Sequence, residues 1–339
     1  MGLYIKHLSH YHPEGIIDNK RFEQSLDTTN EWIIEKTGIE ERRFLNDYEG
    51  PFPGYTLAKR ALQPILDSPT FAKENIGMII SASTHDDIHY PNSGNMIAEE
   101  LGLEVPVLQI KTACTSVAYA IFLCRAILST SEIKEILILN GEAFTKYIDY
   151  GDRSSCILFG DAASALVISK DTGIFEILDI EVGGKGLQIV QANRTSPTAH
   201  ISANDIVTGE MSYGKPKFDR RRDSDKKFQQ DGKKVVDFVL NEIPSKINSI
   251  LKNSNLSIGQ MDFVISHQSN FVMMSRLWEM LEVPKFKHLY NIKNFGNTGS
   301  SGWMTVLSEN QENIKNGSLG LASVFGAGMT WANLILKKI

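Results

Sequence analysis

The segment Phe159-Gly160-Asp161-Ala162-Ala163-Ser164 is echoed by Phe325-Gly326-Ala327-Gly328-Met329-Thr330, an offset of 166 residues in a chain of 339. Each copy runs into an apolar, strand-like stretch. Met78-Ile79-Ile80-Ser81 and Phe263-Val264-Ile265-Ser266 make a second pair, each an apolar run that ends in polar residues. Self-similarity at about half the chain length predicts duplicated halves packed about a pseudo-twofold axis. Strand-like and helix-like runs alternate through both halves. Residues 76–81, 105–110, 136–139 and 164–168 read as buried strands, and 57–66 and 114–129 as helices. In the second half, 235–251 and 271–281 read as helices, and 261–265, 319–325 and 331–336 as strands. Such alternation predicts an α/β architecture.

The expected boundaries are a first half over residues 1–182, a long polar connecting segment over 183–232, and a second half over 233–339. A loop of that length in a compact protein is usually functional or mobile. From Lys215 to Lys234 it carries nine Lys/Arg against four Asp. It reads either as a solvated loop or as a docking surface for something anionic, such as a phosphorylated cofactor or an acidic carrier protein. The chain as a whole has a net charge of −5, which argues against general nucleic-acid binding. Its cysteines, at 114, 124 and 156, form no CxxC pair. That pattern points to a reducing cytoplasm rather than to a disulfide or zinc framework. No signal-peptide stretch is read at the N-terminus. The apolar run 118–128 is too short to span a bilayer and contains Arg125, so no membrane segment is expected.

Cys114 stands where the strand-like run 105–110 gives way to a helical pattern. Val117, Ala120, Ile121, Cys124, Ile127 and Leu128 recur on one face of that helix. A thiol at a helix N-terminus feels the positive end of the backbone dipole, which favours thiolate and hence nucleophilicity. The plain alternative is a small core hydrophobe, which is the reading given to Cys124 and Cys156. A cysteine nucleophile needs partners that manage protons and developing charge. His267 follows the strand-like run 261–265 in His267-Gln268-Ser269-Asn270. Asn297 lies in the Gly/Ser-rich turn Gly296-Asn297-Thr298-Gly299-Ser300-Ser301-Gly302. Both side chains can donate hydrogen bonds to an enolate oxygen. Either residue alone can equally be structural, Asn as a turn former.

Taken together, these residues resemble the Cys-His-Asn triad of the β-ketoacyl-acyl-carrier-protein synthase III family, in the thiolase superfamily. The resemblance covers essentially the whole chain. Thr28-Thr29-Asn30-Glu31-Trp32-Ile33 through Arg42-Arg43 is similar to that family's N-terminal signature, and Phe159-Gly160-Asp161, His267-Gln268-Ser269-Asn270, Gly296-Asn297-Thr298 and Phe325-Gly326-Ala327-Gly328 follow in the family's order. The resemblance implies a thiolase-like five-layer αβαβα fold of two similar halves, usually a homodimer. It implies a decarboxylative Claisen condensation in fatty-acid or polyketide-like biosynthesis. Cys114 takes an acyl group from acyl-CoA, and a malonyl thioester, carried by acyl carrier protein or CoA, loses CO₂ and attacks it. No permanently bound cofactor and no metal are implied. His267 and Asn297 would stabilise the enolate, and the backbone amides of Cys114 and Ala327 would form an oxyanion hole.

Further contacts follow from the same resemblance. Trp32 and Arg153 match the pair that sandwiches adenine, while Thr28, Phe159, Gly232 and Asn270 match positions along the pantetheine channel. Lys36 replaces a more usual Arg. Tyr90 falls near the acyl-pocket wall at the dimer interface. Glu142 matches the neighbourhood where related hydroxymethylglutaryl-CoA synthases hold a general base, though structural pairing also accounts for it. The positions used for carrier docking correspond to Asp237, Val272, Glu279 and Met280, none of them basic, and Arg220-Arg221-Arg222 with Lys226-Lys227 would substitute. Trp303 is bulkier than the usual residue, which suggests an altered acyl pocket and a specialised branch. Two other functions fit the same residues: an acyltransferase to an alcohol or amine, and a catalytically silent carrier-binding scaffold. The pair His85 and His89 reads as a loop rather than a metal site, and Gly183-Gly184-Lys185-Gly186 lacks phosphate-loop spacing.

Overall fold

The computed structural model describes residues 2–46, 52–85, 87, 90–191 and 228–339. Ten strands form the main sheet. The first half supplies β1 (Tyr4–Tyr11), β2 (Ile76–Ser81), β3 (Val107–Gln109), β4 (Glu135–Glu142) and β5 (Ala162–Ser169). The second supplies β6 (Phe175–Leu187), β7 (Phe263–Ser266), β8 (His288–Leu289), β9 (Leu319–Gly326) and β10 (Gly328–Lys338). Their order across the sheet is 8-7-9-10-6-1-5-4-2-3. Read outward from the middle, the halves are the same: 1-5-4-2-3 and 6-10-9-7-8.

Strand directions repeat as well. β1 with β5, and β5 with β4, run antiparallel, while β2 runs parallel to both β4 and β3. β6 with β10, and β10 with β9, run antiparallel, while β7 runs parallel to both β9 and β8. The halves join where β1 meets β6, through Tyr4 opposite Glu176 and Ile5 opposite Phe175. Both echoes in the sequence therefore fall on equivalent strands. Residues 78–81 and 263–266 are the ends of β2 and β7, and the Phe-Gly segments lead into β5 and β10.

Alternation along the strands sorts side chains into layers. In β4, Ile136 and Ile138 face a central core, and Leu137 and Leu139 face an outer one. In β9, Ala322 and Val324 face the same central core, and Leu321 and Phe325 face the other outside. Helices Ser116–Thr130 and Gly302–Asn310 fill the centre with Val117, Ile121, Trp303 and Leu307. Pro53–Leu66 and Ser93–Leu101 cover one outer face; Gly232–Asn241, Ile243–Asn253 and Phe271–Met280 cover the other. The result is helix, sheet, helix, sheet, helix: the expected five layers. Strands buried on both faces read as continuous apolar runs, which is why the sequence revealed them.

The structure departs from expectation in three places. β6 crosses the boundary expected at residue 182, because Gly183 and Gly184 pair with Trp331 and Thr330 of β10 instead of starting a loop. A Cβ on Gly183 would come within 2.2 Å of the Trp331 ring, so a glycine leaves room for the indole. The run 235–251 is two helices, and the second begins with Pro244 in its first turn, where a missing N–H is tolerated. Helix Ser116–Thr130, with the turn before it, is longer than was read. Ala113–Thr130 is apolar enough by composition to cross a membrane, but Val117, Ala118, Ala120, Ile121, Cys124 and Leu128 lie in the central core. Residues 192–227, including Arg220-Arg221-Arg222 and Lys226-Lys227, and also Asp86, Ile88 and His89, lie outside the described residues.

Helix Pro53–Leu66 and β4 approach closely at Gly141, where an added Cβ would sit 2.0 Å from the Gly54 carbonyl oxygen. Gly141→Ala must push helix from sheet, at an expected cost of about 1–3 kcal/mol. A thermal melt should fall by a few degrees; an unchanged melting temperature would mean that the helix can slide without loss.

Candidate active site

Cys114 sits in a single tight turn, Ala113–Thr115, immediately before helix Ser116–Thr130. Ala113 takes a left-handed φ of 52°, uncommon for a residue with a Cβ. Hydrogen bonds around it hold that conformation. The Ser116 hydroxyl donates to the Ala113 carbonyl at 2.7 Å and accepts from the Thr112 amide at 3.0 Å. The Thr115 hydroxyl donates to the Thr112 carbonyl at 2.7 Å.

The second half of the chain reaches this turn through the end of β9. A Cβ on Gly326 would lie 3.0 Å from the Cys114 amide nitrogen and 3.3 Å from that of Thr115. The absence of a side chain at Gly326 lets the two backbones approach. Thr115 and Thr330 hydroxyls are 2.9 Å apart, and Thr330 donates to the Ala327 carbonyl at 3.2 Å. These contacts bring the Ala327 segment beside the Cys114 turn.

His267 follows β7, the neighbour of β9, and its amide donates to the Ser323 carbonyl at 3.0 Å. Its ring stands edge-on to Phe325, with centroids 5.1 Å apart. The imidazole is buried, and Nδ1 has no hydrogen-bond partner among the described residues. The Cys114 turn also packs against the turn Gly299–Ser301, which follows Asn297. Asn297 is fixed at both ends of its backbone: its amide donates to the Leu158 carbonyl at 2.7 Å, and its carbonyl accepts from the Gly160 amide at 3.1 Å. Its Oδ1 accepts from the Gly299 amide at 3.0 Å, which leaves Nδ2 as the free donor. Gly299 itself has φ 58°, and a Cβ there would strike the Phe144 ring at 2.4 Å. The Cys114 turn thus meets both the end of β9, where Phe325 stands against His267, and the turn that follows Asn297.

Electrostatics reverse one expectation. The helix N-terminus does not prevail at Cys114: its thiol is pushed up to about 12, first by burial and then by the nearby Glu142 carboxylate, with only its own backbone amide acting the other way. The residue as a whole is only half-buried, while its thiol lies on the buried side. Burial likewise pushes His267 down to about 3, which keeps the ring neutral. Cys124 and Cys156 are buried, as expected, with thiols raised by burial.

Glu142, at the end of β4, is wholly buried, and burial raises its carboxyl pKa. It accepts from the Thr84 amide at 3.1 Å and hydroxyl at 2.9 Å, from Asn140 Nδ2 at 3.0 Å and from the Ser300 hydroxyl at 2.9 Å. With its lone pairs so occupied it acts as a pin between the β2 exit and the Asn297 loop rather than as a base. Thr84, Asn140 and Ser300 carried no sequence signal for this network, since their separations from one another are set only by the sheet.

The residues expected along a coenzyme A channel fall into two groups. Arg153 lies over the Trp32 ring, 5.2 Å from its centroid, and also donates to the Asp27 carbonyl. Phe159 stands edge-on to Phe228 at 5.0 Å and stacks on Phe144 at 4.7 Å. Thr28 has a buried hydroxyl with no partner among the described residues. The others have structural tasks in this chain. Asn270 caps helix Phe271–Met280 by accepting from the Met273 amide at 3.1 Å, and donates to the Lys36 carbonyl at 2.8 Å. Lys36 is exposed and pairs with Glu35 at 2.6 Å, and Gly232 opens helix Gly232–Asn241. Tyr90 is 91% exposed, so it walls no pocket within its own chain. Trp303, expected at the acyl pocket, is fully buried in the central core. His85 stacks on Tyr147 at 4.5 Å, and Asp87 accepts from the Gly54 and Tyr55 amides at the start of helix Pro53–Leu66.

The family described as 3-oxoacyl-[acyl-carrier-protein] synthase III matches residues 108–186, and its C-terminal part matches residues 251–338. The chain is 30% identical over 336 residues to the β-ketoacyl-[acyl-carrier-protein] synthase III of Campylobacter curvus, covering 97% of this chain and 95% of that protein. It is 29% identical to the enzyme of the same name from Clostridium perfringens, over 96% of each. The crystal structure of 3-oxoacyl-[acyl-carrier-protein] synthase III from Aquifex aeolicus superposes with a TM-score of 0.82 at 25% identity, covering 99% of this chain and all of that one. With its duplicated sheet, its Cys114 turn and these matches along its whole length, the chain belongs to the β-ketoacyl-[acyl-carrier-protein] synthase III family.

Proposed function

We propose that this protein joins a Cys114-bound acyl group to a malonyl thioester, giving a β-ketoacyl thioester and CO₂. The observation that carries the reading is the Asn297 amide, locked by Gly299 so that Nδ2 is left to donate, in a fold that also holds a buried, neutral His267 at the end of β7. A neutral imidazole and an amide are both donors without net charge. They suit an enolate oxygen that is anionic only while the reaction runs.

In the first step the Cys114 sulfur adds to the acyl-CoA carbonyl, and the coenzyme A thiolate leaves. A thiol near 12 is protonated at rest. Its proton must therefore depart during attack, to the leaving coenzyme A thiolate. The oxyanion would lie between the amides of Cys114 and Ala327, a reading supported by the approach of Gly326 to the Cys114 turn. In the second step the malonyl C–C bond breaks, its electron pair passes into an enolate, and CO₂ leaves. The enolate carbon attacks the acyl-enzyme and the Cys114 thiolate is released. This balance needs no cofactor beyond acyl-CoA as substrate and no metal.

The stacking of Arg153 on Trp32 supports an adenine site at the channel mouth, with Thr28 and Phe159 further in. A homodimer is supported by β3, an outermost strand whose outer edge has no partner among the described residues, and by the exposure of Leu108 on it. In such a dimer Tyr90 would wall the partner's acyl pocket. Asp237, Val272, Glu279 and Met280 are acidic or apolar, but Arg276 is exposed between Val272 and Glu279 on the same helix and Lys285 pairs with Glu279, so that face still offers basic contacts to an acidic carrier. The reading places the enzyme in the cytoplasm.

Intact-protein mass spectrometry tests it. Acyl-CoA should add one acyl mass to the wild type and none to Cys114→Ala, and malonyl thioester should then discharge it with CO₂. Acylation that discharges only onto an alcohol or amine would replace condensation with simple acyl transfer; no acylation at all would leave a silent scaffold. His267→Ala and Asn297→Ala should each retain acylation but lose about 10²–10³-fold in condensation; equal loss in both half-reactions would remove these residues from the enolate step.

The high thiol pKa makes a separate prediction. A raised pKa keeps the proton on, so thiolate grows about tenfold per pH unit anywhere below it. Alkylation of Cys114 by iodoacetamide should rise log-linearly from pH 6 to 9 without levelling. A plateau below pH 8 would reveal a resting ion pair with His267 and overturn this proton balance.

A further inference from the structure

Away from the active site, β1 ends in two histidines two residues apart, His10 and His12, opposite Glu309 at the end of helix Gly302–Asn310. We propose that His10, His12 and Glu309 bind a divalent transition-metal ion of the zinc type. One ligand atom from each, the two imidazole nitrogens and a carboxylate oxygen, lies within 4.8 Å of the others. His12 Nε2 is 3.1 Å and His10 Nε2 3.9 Å from the same Glu309 oxygen. Ligands about 2.0–2.1 Å from a tetrahedral zinc stand about 3.3 Å apart, so these separations bracket what an ion requires.

The ligands are held from behind. His10 Nδ1 is 2.8 Å from the Ser308 hydroxyl, which leaves Nε2 to face Glu309. The second carboxylate oxygen of Glu309 accepts from Asn291 Nδ2 at 3.0 Å. The His12 ring stacks on Phe295, with centroids 3.6 Å apart and planes 12° from parallel. Such outer bonds orient metal ligands and set their basicity. Two imidazoles with one carboxylate suit zinc, nickel or cobalt and leave a fourth position open. All three side chains retain some exposure, so an ion can enter from solvent. His12 Nδ1 is buried without a partner among the described residues in either tautomer, so binding adds no new orphan atom there.

The ion would clasp the end of β1 to the helix that follows the Asn297 loop. This site is independent of the condensing chemistry, and its test does not depend on turnover. Full-length protein, stripped with chelator, is titrated with zinc chloride by calorimetry and with Co(II) by visible absorption. One ion per chain should bind, with the ligand-field bands of tetrahedral Co(II), and should raise the melting temperature. Cys114→Ala should bind equally, and His12→Ala should bind at least about tenfold more weakly. Should His12→Ala not fold, Glu309→Gln keeps an acceptor for Asn291 and reports the same loss. Undiminished binding in these variants, binding abolished by Cys114→Ala, or no binding by the wild type would each overturn the site.

Discussion

The approach of two backbones at Gly326 and Cys114 is the constraint on which the candidate site depends. The nucleophile's turn belongs to the first half of the duplicated fold, and Gly326 ends a strand of the second. With a Cβ 3.0 Å from the Cys114 amide, the two segments would have to give by a few tenths of an ångström. Such a shift would be felt by His267, tied to β9 through Ser323, and by Ala327, tied to the turn through Thr330 and Thr115. The third participant is held separately. Asn297 is pinned between Leu158 and Gly160, and its loop meets the Cys114 turn through the network around Glu142. A site assembled from both halves explains why duplication did not produce two copies of it. The second half presents His and Asn where the first presents Cys.

Burial then sets the proton inventory. A thiol near 12 and an imidazole near 3 lie outside the physiological range in opposite directions, each in its neutral form. Glu142, close by, is surrounded by donors and raises the thiol further. A charged pair at rest would be stabilised by ordinary hydrogen bonds, but it would also hold the donors that a passing enolate needs. Neutral, preorganised donors gain most when negative charge appears in front of them, which is the condition for accelerating the step rather than only tightening binding.

Much of this was legible in the sequence, and the reasons for the remainder are physical. Strands buried on both faces, β2, β4, β5 and β7, appear as apolar runs, and the two echoes fell on equivalent strands because packing at those points tolerates few side chains. The central strands β1 and β6 escaped notice. Tyr4–Tyr11 carries Lys6, His7, Ser9, His10 and a broken alternation, and β6 ends in Gly183 and Gly184, which resemble a loop until Trp331 is seen to need the space. Cys114, His267 and Asn297 could be picked out because each stands in a short local pattern. The direction of the Cys114 shift could not, since a helix dipole is visible along the chain whereas burial and a carboxylate 28 positions away are not. Asn270, Lys36 and Gly232 also have local structural tasks, a helix cap, an exposed ion pair and a helix start, that a motif does not reveal.

The same contrast separates the two histidine pairs. His85 and His89 look like metal ligands because they are close in sequence, yet His85 is turned into an aromatic stack and Asp87 caps a helix. His10 and His12 acquire their carboxylate from Glu309, almost the full length of the chain away, and only the packing of helix Gly302–Asn310 against β1 makes the set. That helix starts at the end of the Asn297 loop and finishes at Glu309. Its position is therefore fixed at one end by the glycines of the active-site turn and at the other by contacts to the first strand of the chain. The helix between those two ends is buried in the central core, an element too well packed to absorb a displacement by bending.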